Sequence, residues 1–99
     1  MRAEVRVGPE VEKFVKSLAP EPRRALSRAI KGLAKPEGDI KLLEGKLGGW
    51  HRLRVGGYRV VYKETAQSGT RVVNCVYANH RSVVYEMFAE LLADQLIPP

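Results

Sequence analysis

One cysteine and two histidines among 99 residues exclude several kinds of chemistry at once. A lone thiol, Cys75, rules out an internal disulfide. No spacing between it and His51 or His80 resembles a metal-ligand set, so neither a metal nor another cofactor is expected. Cys75 lies among Val73, Val76 and Tyr77, which predicts a buried, inert thiol. Long apolar runs are missing as well, and no segment could span a bilayer. The opening stretch, MRAEVRVGPEVEKF, lacks the apolar centre of a secretory signal. There are no internal repeats and no low-complexity linker. The expectation is a soluble, cytoplasmic protein without a membrane partner.

Acidic residues are outnumbered eleven to seventeen by lysine and arginine, for a net charge of +6. A field of that sign on so small a chain favours nucleic acid, acidic protein or an anionic surface as partner. With 44% hydrophobic residues, the chain has the composition of one globular domain over residues 1–99, built around a single core.

RAEVRVG alternates well enough for a first strand, with Ala3, Val5 and Val7 on one face. Gly8 ends it, and Pro9 suits the first turn of a helix, where Glu10 and Glu12 complement the positive end of the dipole. Val11, Phe14, Val15 and Leu18 then follow at helical spacing. APEP breaks this helix. A second runs from Pro22 to about Lys35, with Leu26, Ala29, Ile30 and Leu33 on one side. KPEGDIKLLEGKLGG reads as an irregular connection with a possible short strand near Ile40 to Leu43. TAQSGT is a turn, and RVVNCVYAN, apolar on both faces, is a strand with a central position. Ser82 is a good N-cap for VVYEMFAELLADQL, whose apolar stripe is Val84, Phe88, Leu91 and Leu92. The order strand, helix, helix, three strands, helix implies an α+β domain. Its small sheet is four-stranded and mostly antiparallel, with a helical hairpin and the last helix covering one face.

GWHRLRVGGYRVVYK, Gly49 to Lys63, is the most informative segment. Folded as a hairpin with Gly56 and Gly57 as its turn, it places Val55 opposite Tyr58, Arg54 opposite Arg59, Leu53 opposite Val60 and Arg52 opposite Val61. Leu53, Val55, Tyr58, Val60 and Tyr62 then share one face, with His51, while Arg52, Arg54 and Arg59 share the other. Like charges facing one another destabilise a sheet. An anionic partner accounts for such a cluster. Guanidinium groups suit it because they bind phosphate oxygens in bidentate fashion, and Lys63 adds a further cation to the phosphate-binding set. NHRSVVY follows at the end of the last strand. Arg81 lies just before the predicted helix start, where main-chain N–H groups reinforce anion binding. His80, beside two cations, is a candidate proton acceptor near neutral pH, and Tyr85 is a candidate for stacking or proton movement.

LLEGKLGGWHRLRVGGYRVVYK, followed by a strand and NHRSVVYE, resembles the RelE/ParE superfamily of toxins from type II toxin–antitoxin pairs, over nearly the whole chain and with the RelE-like branch favoured. The resemblance implies a small ribonuclease that enters the ribosomal decoding site and cuts messenger RNA, restrained by a cognate antitoxin that wraps it. It also implies catalytic roles for Arg59, Arg81 and Tyr85, with His80 beside them, and phosphate-binding roles for Arg52 and Arg54. RelE-type enzymes often carry lysine at the last two places. With arginine there, no lysine base is available from these positions, since guanidinium stays protonated. The antitoxin is expected to be acidic and partly disordered, folding as it covers the basic surface. Two other readings remain open on the same scaffold: a ParE-like toxin that poisons DNA gyrase without nuclease activity, and a non-catalytic RNA-binding module.

Overall fold

Gly56 opens the two-residue turn of the arginine ribbon at φ +57°, a left-handed geometry that glycine adopts at little cost. In the computed structural model, which describes residues 3–35 and 37–97, β3 (His51–Val55) and β4 (Tyr58–Gln67) pair in the register that turn predicts. Val55 faces Tyr58, Arg54 faces Arg59, Leu53 faces Val60 and Arg52 faces Val61. Beyond β4 the strand continues to Gln67. The next turn is confined to Ser68 and Gly69, both at positive φ, and β5 (Thr70–His80) returns antiparallel.

The remaining strands flank this meander. β1 (Ala3–Val7) lies parallel to β5, and a four-residue strand, β2 (Asp39–Leu42), pairs antiparallel with β3. The sheet therefore has five strands in the order β1-β5-β4-β3-β2, not four. The possible short strand near Ile40 to Leu43 does form, over Asp39–Leu42, because its alternation Asp39, Ile40, Lys41, Leu42 meets Arg54, Leu53, Arg52 and His51 residue for residue. β5 is an interior strand, as its apolar residues on both faces require.

Two helices pack on one face. α1 (Pro9–Ser17) and α2 (Pro20–Lys31) each carry proline in the first turn, where its missing N–H costs nothing. The break between them is short, so α2 begins at Pro20 and not at Pro22, and a single 3-10 turn, Gly32–Ala34, follows it. Val11, Leu26, Ile30 and Leu33 from these elements bury Leu53, Val60, Tyr62, Val73, Cys75 and Ala78 of the sheet. His51 stacks on Tyr62 at 5.1 Å on this side, with its buried Nδ1 lacking a partner.

α3 (Val84–Ala93) packs on the opposite face. Val84 and Phe88, both fully buried, close over Trp50, Val61 and Tyr77, with Leu91 and Leu92 at the margin. The sheet is thus covered on both sides, against the one-sided cover expected from the sequence. An apolar stripe shows that a helix is buried but not which face of the sheet receives it. The first turn of α3 is capped differently too: the N-cap residue is Val83, with no side-chain hydrogen bond, and not Ser82. A bulge between the two cores reconciles them. Val61 pairs with Tyr77 but Tyr62 pairs with Cys75, leaving Val76 as an extra residue. Val76 and Tyr77 consequently both pack toward α3, while Cys75 and Ala78 belong to the other core. Among the described residues, no helix is long and apolar enough to cross a membrane.

Phe88 meets Trp50 edge-on at 5.0 Å and stacks near Tyr77 at 6.1 Å. Phe88→Ala is therefore expected to cost about 3–5 kcal/mol in chemical denaturation. Met87→Ala, one position away on the exposed side, should lie within about 0.5 kcal/mol of wild type. Burial also pushes the Cys75 thiol up to about 12. An unfolded thiol ionises near 8.5, so the buried neutral form stabilises the fold below that pH, and this contribution is lost as pH rises toward the folded value. Urea midpoints should fall above about pH 8.5, and more shallowly in Cys75→Ala.

Candidate functional site

An open cleft of about 490 Å³ lies between the arginine side of the ribbon and the first turn of α3. Arg52 of β3 and Arg59 of β4 supply one wall, Arg81 and Ser82 the loop before α3, Tyr85 the helix itself, and Lys41 with Leu43 the side nearest β2. α3 bounds this cleft without roofing it. Tyr85 is half-buried because one part of its ring packs on the α3 core while the other faces the cleft.

Each cation is held differently. Arg52 Nη1 donates to the Asp39 carboxylate at 2.9 Å and to the Asp39 carbonyl at 3.0 Å. Its side chain is only 15% exposed, and these two bonds set the direction of its guanidinium. Arg59 Nη1 donates to the carbonyls of Gly56 and Tyr58, both at 2.9 Å. Arg54 turns away toward β2, with Nε 3.9 Å from the second Asp39 oxygen. The facing arginines thus avoid one another by reaching to opposite sides, one to the turn carbonyls and one to a carboxylate. Part of the repulsion is therefore offset inside the protein by Asp39. The main-chain N–H of Arg81 donates to Gly57 O at 2.8 Å, which ties the loop before α3 to the ribbon tip. The Arg81 side chain has no carboxylate partner among the described residues.

The sequence-predicted residues divide accordingly. Arg52, Arg59, Arg81 and Tyr85 come together. Arg54 lies outside the cleft, on a shallow surface with Arg28 and Glu37. Lys63 sits with Nζ 4.9 Å over the Trp50 ring and does not line the cleft. His80 points to the other face: it is opposite Tyr58 in the ladder and packs at 5.5 Å edge-on against Phe14. The bulge is the cause. Counted back from the Ser68–Gly69 turn without Val76 as an extra residue, Asn79 would face Tyr58 and His80 would point to the arginine side. Asn79 instead takes that side, donating from Nδ2 to Tyr77 Oη at 2.9 Å. Lys41, Leu43 and Asp39 were missed by sequence reasoning. Their signal was the alternation in DIKL, which becomes readable once β2 is paired with β3.

No protein-family model and no curated protein sequence matches this chain. Solved structures do. A RelBE toxin–antitoxin complex from Mycobacterium tuberculosis is similar at 25% identity and a TM-score of 0.66, over 82% of this chain and 100% of that one. The archaeal RelE–RelB complex from Pyrococcus horikoshii OT3 is similar at 26% identity and a TM-score of 0.63, over 82% and 97%. The chain has the fold of RelE/ParE-like toxins. A YoeB/ParE toxin from Agrobacterium tumefaciens shares that RelE/ParE-like fold at 13% identity and a TM-score of 0.61, over 79% of this chain and 98% of that one.

The hydrogen bond from Arg52 holds the Asp39 carboxyl below the usual aspartate range, with the charges of Arg52, Arg54 and Arg59 acting in the same direction. A lowered carboxyl stabilises the fold above its unfolded pKa, and the contribution is lost as pH falls through the folded value. Asp39→Asn should therefore unfold at lower urea than wild type at pH 6. The difference should shrink below about pH 4, where the wild-type carboxyl also becomes neutral. Urea titrations of both proteins across that range check it.

Proposed function

We propose that this RelE/ParE-like protein is a type II toxin that cuts messenger RNA on the ribosome. A ribose 2′-hydroxyl attacks the adjacent phosphate, leaving a cyclic phosphate on one fragment and a 5′-hydroxyl on the other. The observation that carries this reading is the convergence of Arg52, Arg59 and Arg81 with Tyr85 on one open cleft. Guanidiniums grip phosphate oxygens with two parallel N–H donors, a geometry an ammonium does not reproduce.

The roles follow from how each group is held. Arg59 and Arg81 stabilise charge on the phosphoryl oxygens as the transition state forms. Arg52, fixed by Asp39, positions the RNA backbone, and Arg54 contacts the strand where it leaves the cleft. Tyr85 offers a ring against which an unpaired base can stack. Among the described residues neither a carboxylate pair nor a histidine lines the cleft, so free RNA should be a poor substrate. Orientation by the ribosome supplies the effective molarity that the site alone lacks.

A cognate antitoxin is the second part of this reading. The M. tuberculosis and P. horikoshii structures are toxin–antitoxin complexes, and a net charge of +6 suits an acidic, partly disordered segment that orders on contact. Occupying the cleft would neutralise its cations and exclude RNA.

Arg59→Ala and Arg81→Ala should each slow cleavage on message-programmed ribosomes by about 10² to 10³-fold. Undiminished cutting by both would overturn the assignment. Primer extension on transcripts after induction supplies the cellular counterpart, with cleavage sites expected inside translated messages. Gyrase-dependent DNA breaks with intact transcripts would instead support ParE-like action.

A further inference from the structure

Lys41 occupies the short edge strand β2, opposite Arg52 in the ladder, and lines the cleft. The carboxylate nearest to it along the same face of β2, Asp39, is engaged by Arg52 and Arg54. Among the described residues Lys41 itself has no ion-pair partner, so its amine is free to meet a ligand in the cleft.

Attack by a 2′-oxygen needs a group to receive the hydroxyl proton, and few residues here can do so. The three cleft arginines stay protonated at any ordinary pH. His80 is on the far face of the sheet, against Phe14 and Tyr58. Among the described residues no carboxylate lines the cleft. The Ser82 hydroxyl and the Tyr85 phenol carry protons of their own and are weak acceptors while they keep them. A lysine amine, once neutral, has a lone pair and a flexible four-carbon stem, the properties that suit lysine to general-base work.

We propose that Lys41 is the proton acceptor of this cleft. Its neutral amine takes the 2′-hydroxyl proton as the 2′-oxygen bonds to phosphorus and the bond from phosphorus to the 5′-oxygen breaks. The departing 5′-oxygen is protonated by water, and the hydroxide so formed is neutralised by the proton on Lys41 Nζ, returning the enzyme to its starting state. The assignment rests on the nuclease reading above and adds to it a base supplied from the sheet edge, not from the ribbon.

The alternative use of Lys41 is as one more phosphate-binding charge, and Lys41→Arg separates the two because it keeps the charge and removes the acceptor. On message-programmed ribosomes, Lys41→Arg should cut about 10² to 10⁴-fold more slowly than wild type, with ribosome affinity within about threefold. Chemical rescue gives a second measurement. Lys41→Cys treated with 2-bromoethylamine regains an amine at nearly the same reach, and Cys75 is spared because it is 1% exposed with its thiol pushed up to about 12. Aminoethylation should restore cleavage at least tenfold over the same variant capped with iodoacetamide, with one adduct by mass. Cutting by Lys41→Arg within about threefold of wild type, or no rescue by the amine, overturns the proposal and leaves the nuclease reading standing. A wild-type protein that cuts no message on ribosomes removes both.

Discussion

Hydrophobic burial on both faces of β4 and β5 holds the two halves of this structure together. On one side Val60, Tyr62, Val73 and Cys75 meet the helical hairpin, and on the other Val61 and Tyr77 meet α3. Strict alternation would give each face every second residue. The extra residue Val76 shifts the pattern locally, so the apolar side chains before and after it can reach different cores. The cleft is a product of that arrangement, because α3 is seated over one end of a face whose other end carries the arginines.

Gathering cations at one place opposes folding, and the protein distributes that cost. Asp39 neutralises part of the field from the edge strand, and the turn carbonyls of Gly56 and Tyr58 accept from Arg59. The positive field that remains at Arg81 and Lys41 is what an anionic ligand would meet. Asp39 is half-exposed, and pairs that reach solvent on one side contribute little stability each, so the Asp39 contacts matter more for where Arg52 points than for how firmly the sheet is held.

Much of this was legible in the sequence, and the reasons are local. A two-residue glycine turn fixes the pairing of β3 with β4 without help from the rest of the chain, so the faces of Arg52, Arg54 and Arg59 could be assigned in advance. β5 could be placed inside the sheet because Val72, Val73, Val76 and Tyr77 leave it no polar face. The side of the sheet taken by α3 could not be read, since the Val84 and Phe88 stripe is equally satisfied by either face. β2 was hard to recognise because four residues between glycine-rich flanks carry too little alternation. The face taken by His80 could not be read either, since one unmarked bulge reverses the parity of everything beyond it on that strand.

The parallel pairing of β1 with β5 joins residues far apart in the chain, Ala3 with Arg71 and Val7 with Cys75. Contacts of such long sequence separation form late, since loop-closure entropy opposes them until the intervening meander is in place. The cleft has the same dependence, drawing on Lys41 at one extreme and Tyr85 at the other. A fragment lacking the last strand and helix would therefore leave β1 without its partner strand and the cleft without Arg81, Ser82 and Tyr85.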